Sequence, residues 1–202
     1  MKDHREPGCL HVLNGKIDYS SGNSLEYQKE EGLAGHIVTY HHKGKKLVLN
    51  NLLPDSNNWN IMAVVPIKGG IKNYFRLLPN NGISSILGSV YIDVDSLREE
   101  AYMIITLHEI GHTHVRGMAT DHITKQDDFI LFSERNAWSY ALKTMRRHDL
   151  LGWLPRKELR RFYYDKALKT YQSKLVDAVV KRHSKRWGHI DDLISSAPGV
   201  RS

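Results

Sequence analysis

The sequence predicts an α+β chain: a small mixed or antiparallel sheet in the first half, followed by helices. Three observations carry this. From Ala34 to Asp93 short β-branched and aromatic runs alternate with Gly, Pro and Asn punctuation, the texture of strands and turns. From Ser96 the apolar spacing changes to that of helices and stays so. The chain has 202 residues, enough for one full domain with its own core and a short extension.

Residues 1–32 are polar and spotted with Gly and Ser, without a sustained period, and are expected to be a loosely structured N-terminal segment. His36-Ile37-Val38-Thr39-Tyr40 and Lys45-Lys46-Leu47-Val48-Leu49 flank Lys43-Gly44, a hairpin signature. Asn60 to Ile67 reads as a buried strand closed by Pro66 and Gly69-Gly70. Asn80-Asn81-Gly82 marks a turn before Ile83–Leu87 and Ser89-Val90-Tyr91-Ile92-Asp93.

Ser96 and Glu99 have the spacing of a capping box, so a first helix is expected from Ser96 to about Val115, with Gly117 as its stop. A loop from Met118 to Gln126 follows, then a second helix from Asp127 or Asp128 to Leu150, with Gly152 beyond its end. Pro155 suits the first turn of a third helix reaching about His183. Its apolar stripe is Leu159, Phe162/Tyr163, Leu168, Tyr171, Leu175 and Val179, with Arg and Lys opposite. The expected organisation is therefore 1–32 loose, 33–152 the main domain, and 153–202 a basic amphipathic helical extension.

Composition excludes several classes. A single cysteine, Cys9, rules out an intramolecular disulfide and a Cys-based zinc site. The charged N-terminus has no apolar signal region, and the longest apolar run, Ile61 to Ile67, is far below the ~20 residues of a membrane span. A reducing, cytoplasmic setting without membrane association is the expectation. The net charge of +7 is uneven, because residues 143–187 carry 14 Lys/Arg against 4 Asp/Glu. Such a segment suits an acidic partner, a protein surface or nucleic acid, with Arg156, Lys157, Arg160, Arg161, Lys181, Arg182, Lys185 and Arg186 able to meet phosphates.

The chemistry centres on Leu107-His108-Glu109-Ile110-Gly111-His112, an H-E-x-x-H motif. Residues four apart on a helix share a face, so His108 and His112 can aim two imidazole nitrogens at one ion. Glu109 is turned away around the axis, as suits a group acting on metal-activated water. A catalytic zinc normally takes three protein ligands. Val115 and Met118 stand where the extended H-E-x-x-H-x-x-G-x-x-H pattern needs Gly and His, and His114 points elsewhere. Asp121 and His122 in the following loop are candidates. Glu134 is the best, because Glu134, Ala137 and Ala141 share one face of the second helix and the small residues permit close approach. His36, His41, His42, His148, His183 and His189 read as surface residues, and Trp138 and Trp153 as packing residues.

H-E-x-x-H on one helix with Glu134-x-x-Ala137 on the next is similar to the gluzincin arrangement. The stretch 86–145 resembles the ImmA/IrrE-type metallopeptidases: Val90-Tyr91-Ile92-Asp93, then Ser96 to His112, then Glu134-x-x-Ala137-x-x-Tyr140-Ala141. Tyr140 replaces the family's usual Phe, and Leu142-Lys143-Thr144-Met145 replaces its Leu-Leu-Met-Pro-like continuation. The resemblance implies a zincin-like fold and Zn2+ held by His108, His112 and Glu134. It implies Glu109 as general base in peptide hydrolysis, and a narrow protein target, often a repressor-type regulator. Tyr140, His114 and His122 are candidates for the oxyanion donor. A second expectation, from the basic segment, is a non-catalytic regulatory or nucleic-acid-associated protein.

Overall fold

The computed structural model describes residues 9–54, 59–67, 74–78, 87–115, 126–150, 154, 156–163, 190 and 192–195. The chain is α+β. By its internal contacts it divides into two units, Met1–Thr113 and His114–Ser202.

In the first unit, eight described strands form one sheet: β1 Cys9–His11, β2 Asn14–Asp18, β3 Ser24–Lys29, β4 His36–His42, β5 Lys45–Val48, β6 Trp59–Pro66, β7 Tyr74–Leu78 and β8 Leu87–Asp93. The main path is β2-β3-β4-β6-β8-β7, with β5 paired to β4 and β1 to β6. All pairs are antiparallel except β6 and β8, which run parallel from Trp59↔Gly88 to Val64↔Asp93. The predicted hairpin and the 60–67 strand are present. The hairpin turns on Lys43 and Gly44, with φ of 48° and 75°, the pair of left-handed residues that matches the twist of flanking strands.

Two expectations are corrected here. Residues 9–29, expected to be loose, form β1, β2 and β3. Their polarity reflects position, since the outer strand β2 alternates exposed and half-buried residues while Leu25 and Tyr27 of β3 face the core. The first helix does not start at Ser96. Asp93 takes the hydroxyl of Ser96 at 2.8 Å and the backbone N–H groups of Asp95 and Ser96, so Ser96 closes a turn after β8 instead of capping a helix. Glu99 is extended between two short 3-10 turns, Ser96–Arg98 and Glu100–Tyr102, and α1 runs over Met103–Val115.

The first unit's core draws on Leu25, Val38, Tyr40, Ile61, Ala63, Val90 and Ile92 of the sheet and on Met103, Ile104, Leu107 and Ile110 of α1. α1 is buried nearly all round, as a helix inside a core must be. In the second unit, α2 spans Gln126–Arg147 and α3 Arg156–Phe162. α2 buries Ala137, Trp138, Ala141, Leu142 and Met145, a stripe at helical spacing. It stops at Arg147, three residues before the expected Leu150, with Asp149 in the left-handed region (φ 59°). The N–H of Leu150 reaches the Met145 carbonyl at 2.7 Å and that of Asp149 reaches Arg146, which is a Schellman stop. Leu159, Phe162 and Tyr163 are buried as the α3 stripe predicts, and Trp138 packs edge-on against Tyr163.

β7 answers to no predicted strand. The Asn80–Gly82 turn, the strand positions 83–86, Gly117, the loop with Asp121 and His122, Gly152, Trp153, and positions 164–183 of the basic helix lie outside the described residues. Among the described residues, no helix is long and apolar enough to cross a membrane.

Candidate metal centre

α1 enters from a polar clamp. Glu100, in the turn before the helix, accepts hydrogen bonds from Ser21 Oγ and Asn23 Nδ2, both at 2.6 Å, and from the Tyr40 hydroxyl. Beside it the Tyr19 hydroxyl donates to the Leu97 carbonyl at 2.7 Å. Burial first, then the Glu100 charge, push the Tyr19 and Tyr40 phenols far above their ordinary range, so both stay neutral and donate. The start of α1 is thus tied to the β2–β3 turn and to β4.

His108 and His112 follow on α1, buried to 6% and 8% exposure, with Glu109 half-buried between them. Their Nε2 atoms stand 3.1 Å apart and the ring planes meet at 77°. Two nitrogens bonded at ~2.0–2.1 Å to one tetrahedral ion would be about 3.3–3.4 Å apart, so the pair is already near the spacing of two edge-sharing zinc ligands.

Glu134 lies on α2, half-buried, one turn before Ala137 and two before Ala141, both fully buried. His108, His112 and Glu134 form a group that could hold a metal ion, with one ligand atom of each within 4.8 Å of the others. Two imidazoles and a carboxylate are a donor set that fits zinc and leaves a position for water. Three of the site residues expected from the sequence, His108, His112 and Glu134, are therefore brought together. Asp121 and His122, the rival third ligands, lie outside the described residues.

The oxyanion candidates separate. His114 and Tyr140 stack on each other, centroids 4.3 Å apart and planes at 24°. His114 is about 200° around the helix from His112 and Tyr140 about 240° from Glu134, so neither shares the ligands' face. Burial raises the Tyr140 phenol. His122 remains as the third candidate.

Two histidines set aside as surface residues are buried: His36 at 1% and His42 at 3% exposure. His42 stacks on Tyr40, and His36 is built into the sheet's hydrogen bonding. β4 buries residues on both faces, so the alternation that separates inside from outside on a one-sided strand carries no such signal there. Comparison with family models, curated proteins and solved structures found no match to this chain.

Proposed function

We propose that the protein is a zinc-dependent metalloendopeptidase with a zincin-like fold, cleaving a specific intracellular protein. A repressor-type regulator is the target class suggested by the ImmA/IrrE-type resemblance of residues 86–145. The observation that carries the reading is the convergence of His108, His112 and Glu134 from two helices.

Zinc in such a donor set supplies Lewis acidity and lowers the pKa of water toward ~7. The chain's own groups do the rest. His108 and His112 arrive preset on one buried helix face, which limits the ordering cost of binding. Glu109 is turned about 100° from His108. It takes the proton of the attacking water and returns it to the leaving amine, a role in general acid–base catalysis.

Two measurements on the purified chain test this. Metal analysis is expected to give about one zinc per chain. Glu109→Gln is expected to keep the metal and lower kcat/KM on a peptide library by about 10^2–10^4-fold, the range for a general acid–base group. A chain that neither carries zinc nor can be reconstituted with it overturns the proposal.

A second reading, a non-catalytic regulatory or nucleic-acid-associated protein, rests on α3, where Arg156, Lys157, Arg160 and Arg161 are all exposed. Arg161 pairs with Glu158 at 3.0 Å and Arg160 reaches Ser195 at 3.4 Å. Function lost on charge reversal in α3 but intact in Glu109→Gln would favour it, and nucleic-acid binding without salt dependence would count against it.

A further inference from the structure

β6 changes partners partway along its length. It pairs with β4 only at His36↔Ile61, and β1 takes over from Val64 to Pro66. Between these ladders, among the described residues, no strand pairs with the Ala63 N–H, and that group would be an expensive orphan in a core. Ala63 is fully buried.

The His36 side chain occupies the gap. Its Nδ1 accepts the Ala63 N–H at 3.1 Å, and its Nε2 meets the Val12 carbonyl. The Val12 N–H in turn donates to the Ala63 carbonyl at 3.1 Å. One ring thus joins β6 to the β1–β2 connection, acting as a piece of β-ladder. Its own backbone is fixed: the His36 carbonyl accepts Asn50 Nδ2 at 2.8 Å, and Asn50 Oδ1 accepts the Val38 N–H at 2.9 Å. Gly35 leaves room for the approach, since a Cβ there would stand 2.6 Å from the Ile61 carbonyl.

The two bonds fix the tautomer. Nδ1 must be bare to accept from Ala63, and Nε2 must carry the proton to donate to Val12. An imidazolium cannot make this pair of bonds, because both of its nitrogens are donors.

We propose that His36 is a proton-sensitive latch holding the N-terminal strand β1 and the Val12 connection to β6, closed when the ring is neutral and opened by protonation. The charged and titratable groups facing the ring agree with this direction. Lys29, its register partner on β3, and His11 on β1 both oppose a second positive charge. Lys29 is held close by its bonds to the Leu33 and Gly35 carbonyls, at 2.5 and 3.3 Å. The Val12 and Ile61 carbonyls favour the cation, but burial is the largest influence and the net effect lowers the ring's pKa from 6.5. A pKa lower in the folded than in the opened state means the latch is fully closed above about pH 6.5. It is lost as pH falls through that value toward the depressed one.

The test is amide hydrogen exchange of Val12 and Ala63 in the full chain from pH 7.5 to 5, corrected for intrinsic rates, alongside 15N NMR of the His36 ring. Below pH 6.5 the opening equilibrium at both amides is expected to rise up to tenfold per pH unit, with the ring in the Nε2–H form at pH 7.5. His36→Gln, whose amide can accept from Ala63 and donate to Val12 without titrating, should flatten the dependence. His11→Asn should retain it. An Nδ1–H tautomer, protection that does not follow the ring's titration, or an unchanged pH dependence in His36→Gln overturns the proposal. Should His36→Gln fail to fold, agreement or disagreement between ring titration and amide protection in the wild type decides it.

Discussion

Zinc should raise the melting temperature of this chain by an amount the site predicts. The Nε2 atoms of His108 and His112 are 3.1 Å apart, and an ion ~2.0–2.1 Å from both would subtend about 95–100°, close to tetrahedral. Binding therefore needs little rearrangement of these two ligands, and its free energy goes into stabilising the folded state. At free zinc a hundredfold above Kd, the gain is about 2.7 kcal/mol. For a chain of 202 residues, where 1 kcal/mol moves the midpoint by about 2–4 °C, that is a rise of about 5–11 °C. Replacing His112 or Glu134 with Ala would remove a proposed ligand, a larger loss than the 10–100-fold caused by disturbing groups behind a ligand. At the same zinc concentration, affinity a hundredfold weaker leaves about 0.4 kcal/mol, a shift of only about 1–2 °C. Glu109→Gln should keep the full shift. The assay is thermal unfolding with zinc and with chelator for the four proteins. A wild-type shift below about 2 °C, or one that survives in full in His112→Ala, would refute the reasoning.

Glu100→Ala should destabilise the chain by about 2–3 kcal/mol in denaturant unfolding, because it strands donors on Tyr40, Asn23 and Ser21; a loss under 0.5 kcal/mol would show the clamp to be incidental. Tyr19 and Tyr40 have folded pKa values raised above the unfolded 10.0, so their contribution is complete below pH 10 and falls as pH rises beyond it. Each should cost about 1.4 kcal/mol per pH unit there, and Tyr40→Phe should make the alkaline stability slope shallower.

The group that could hold a metal ion was legible because helix geometry compresses a three-dimensional arrangement into a local pattern. His108 and His112 need only a shared turn spacing, and Glu134 announced itself through Ala137 and Ala141 on its own face. What escaped depends on partners distant in sequence. Ser96-x-x-Glu99 reads as a cap until Asp93, at the end of β8, takes the Ser96 hydroxyl. The polar stretch 14–29 hides two strands, because β2 lies at the sheet's margin and needs few apolar residues. His36 looked like a surface group because its partners, Val12 and Ala63, lie on two other segments. Asp149 escaped for another reason, since Gly is the usual left-handed residue at a helix stop and Asp reaches that conformation less often.

The support behind α1 bears on whether its histidines can serve a precise chemistry. A site holds its geometry when the ligands sit on rigid elements whose ends are fixed. From Glu100 to His108 is only about two helical turns, and the Glu100 carboxylate is held by three side chains from the β2–β3 turn and β4. Met103, Ile104 and Leu107 between them are fully buried, so rotation of the helix about its axis would expose apolar surface or press it into occupied space. At about 25 cal/mol per Å² and some 100 Å² of apolar side chain per residue, re-exposing two of these would cost about 5 kcal/mol. That is comparable to the whole stability of many domains. The imidazoles are therefore held in one orientation by burial and by the clamp together. Glu100→Ala should accordingly weaken zinc binding as well as stability. Zinc affinity unchanged in a folded Glu100→Ala chain would show that burial alone sets the orientation of α1.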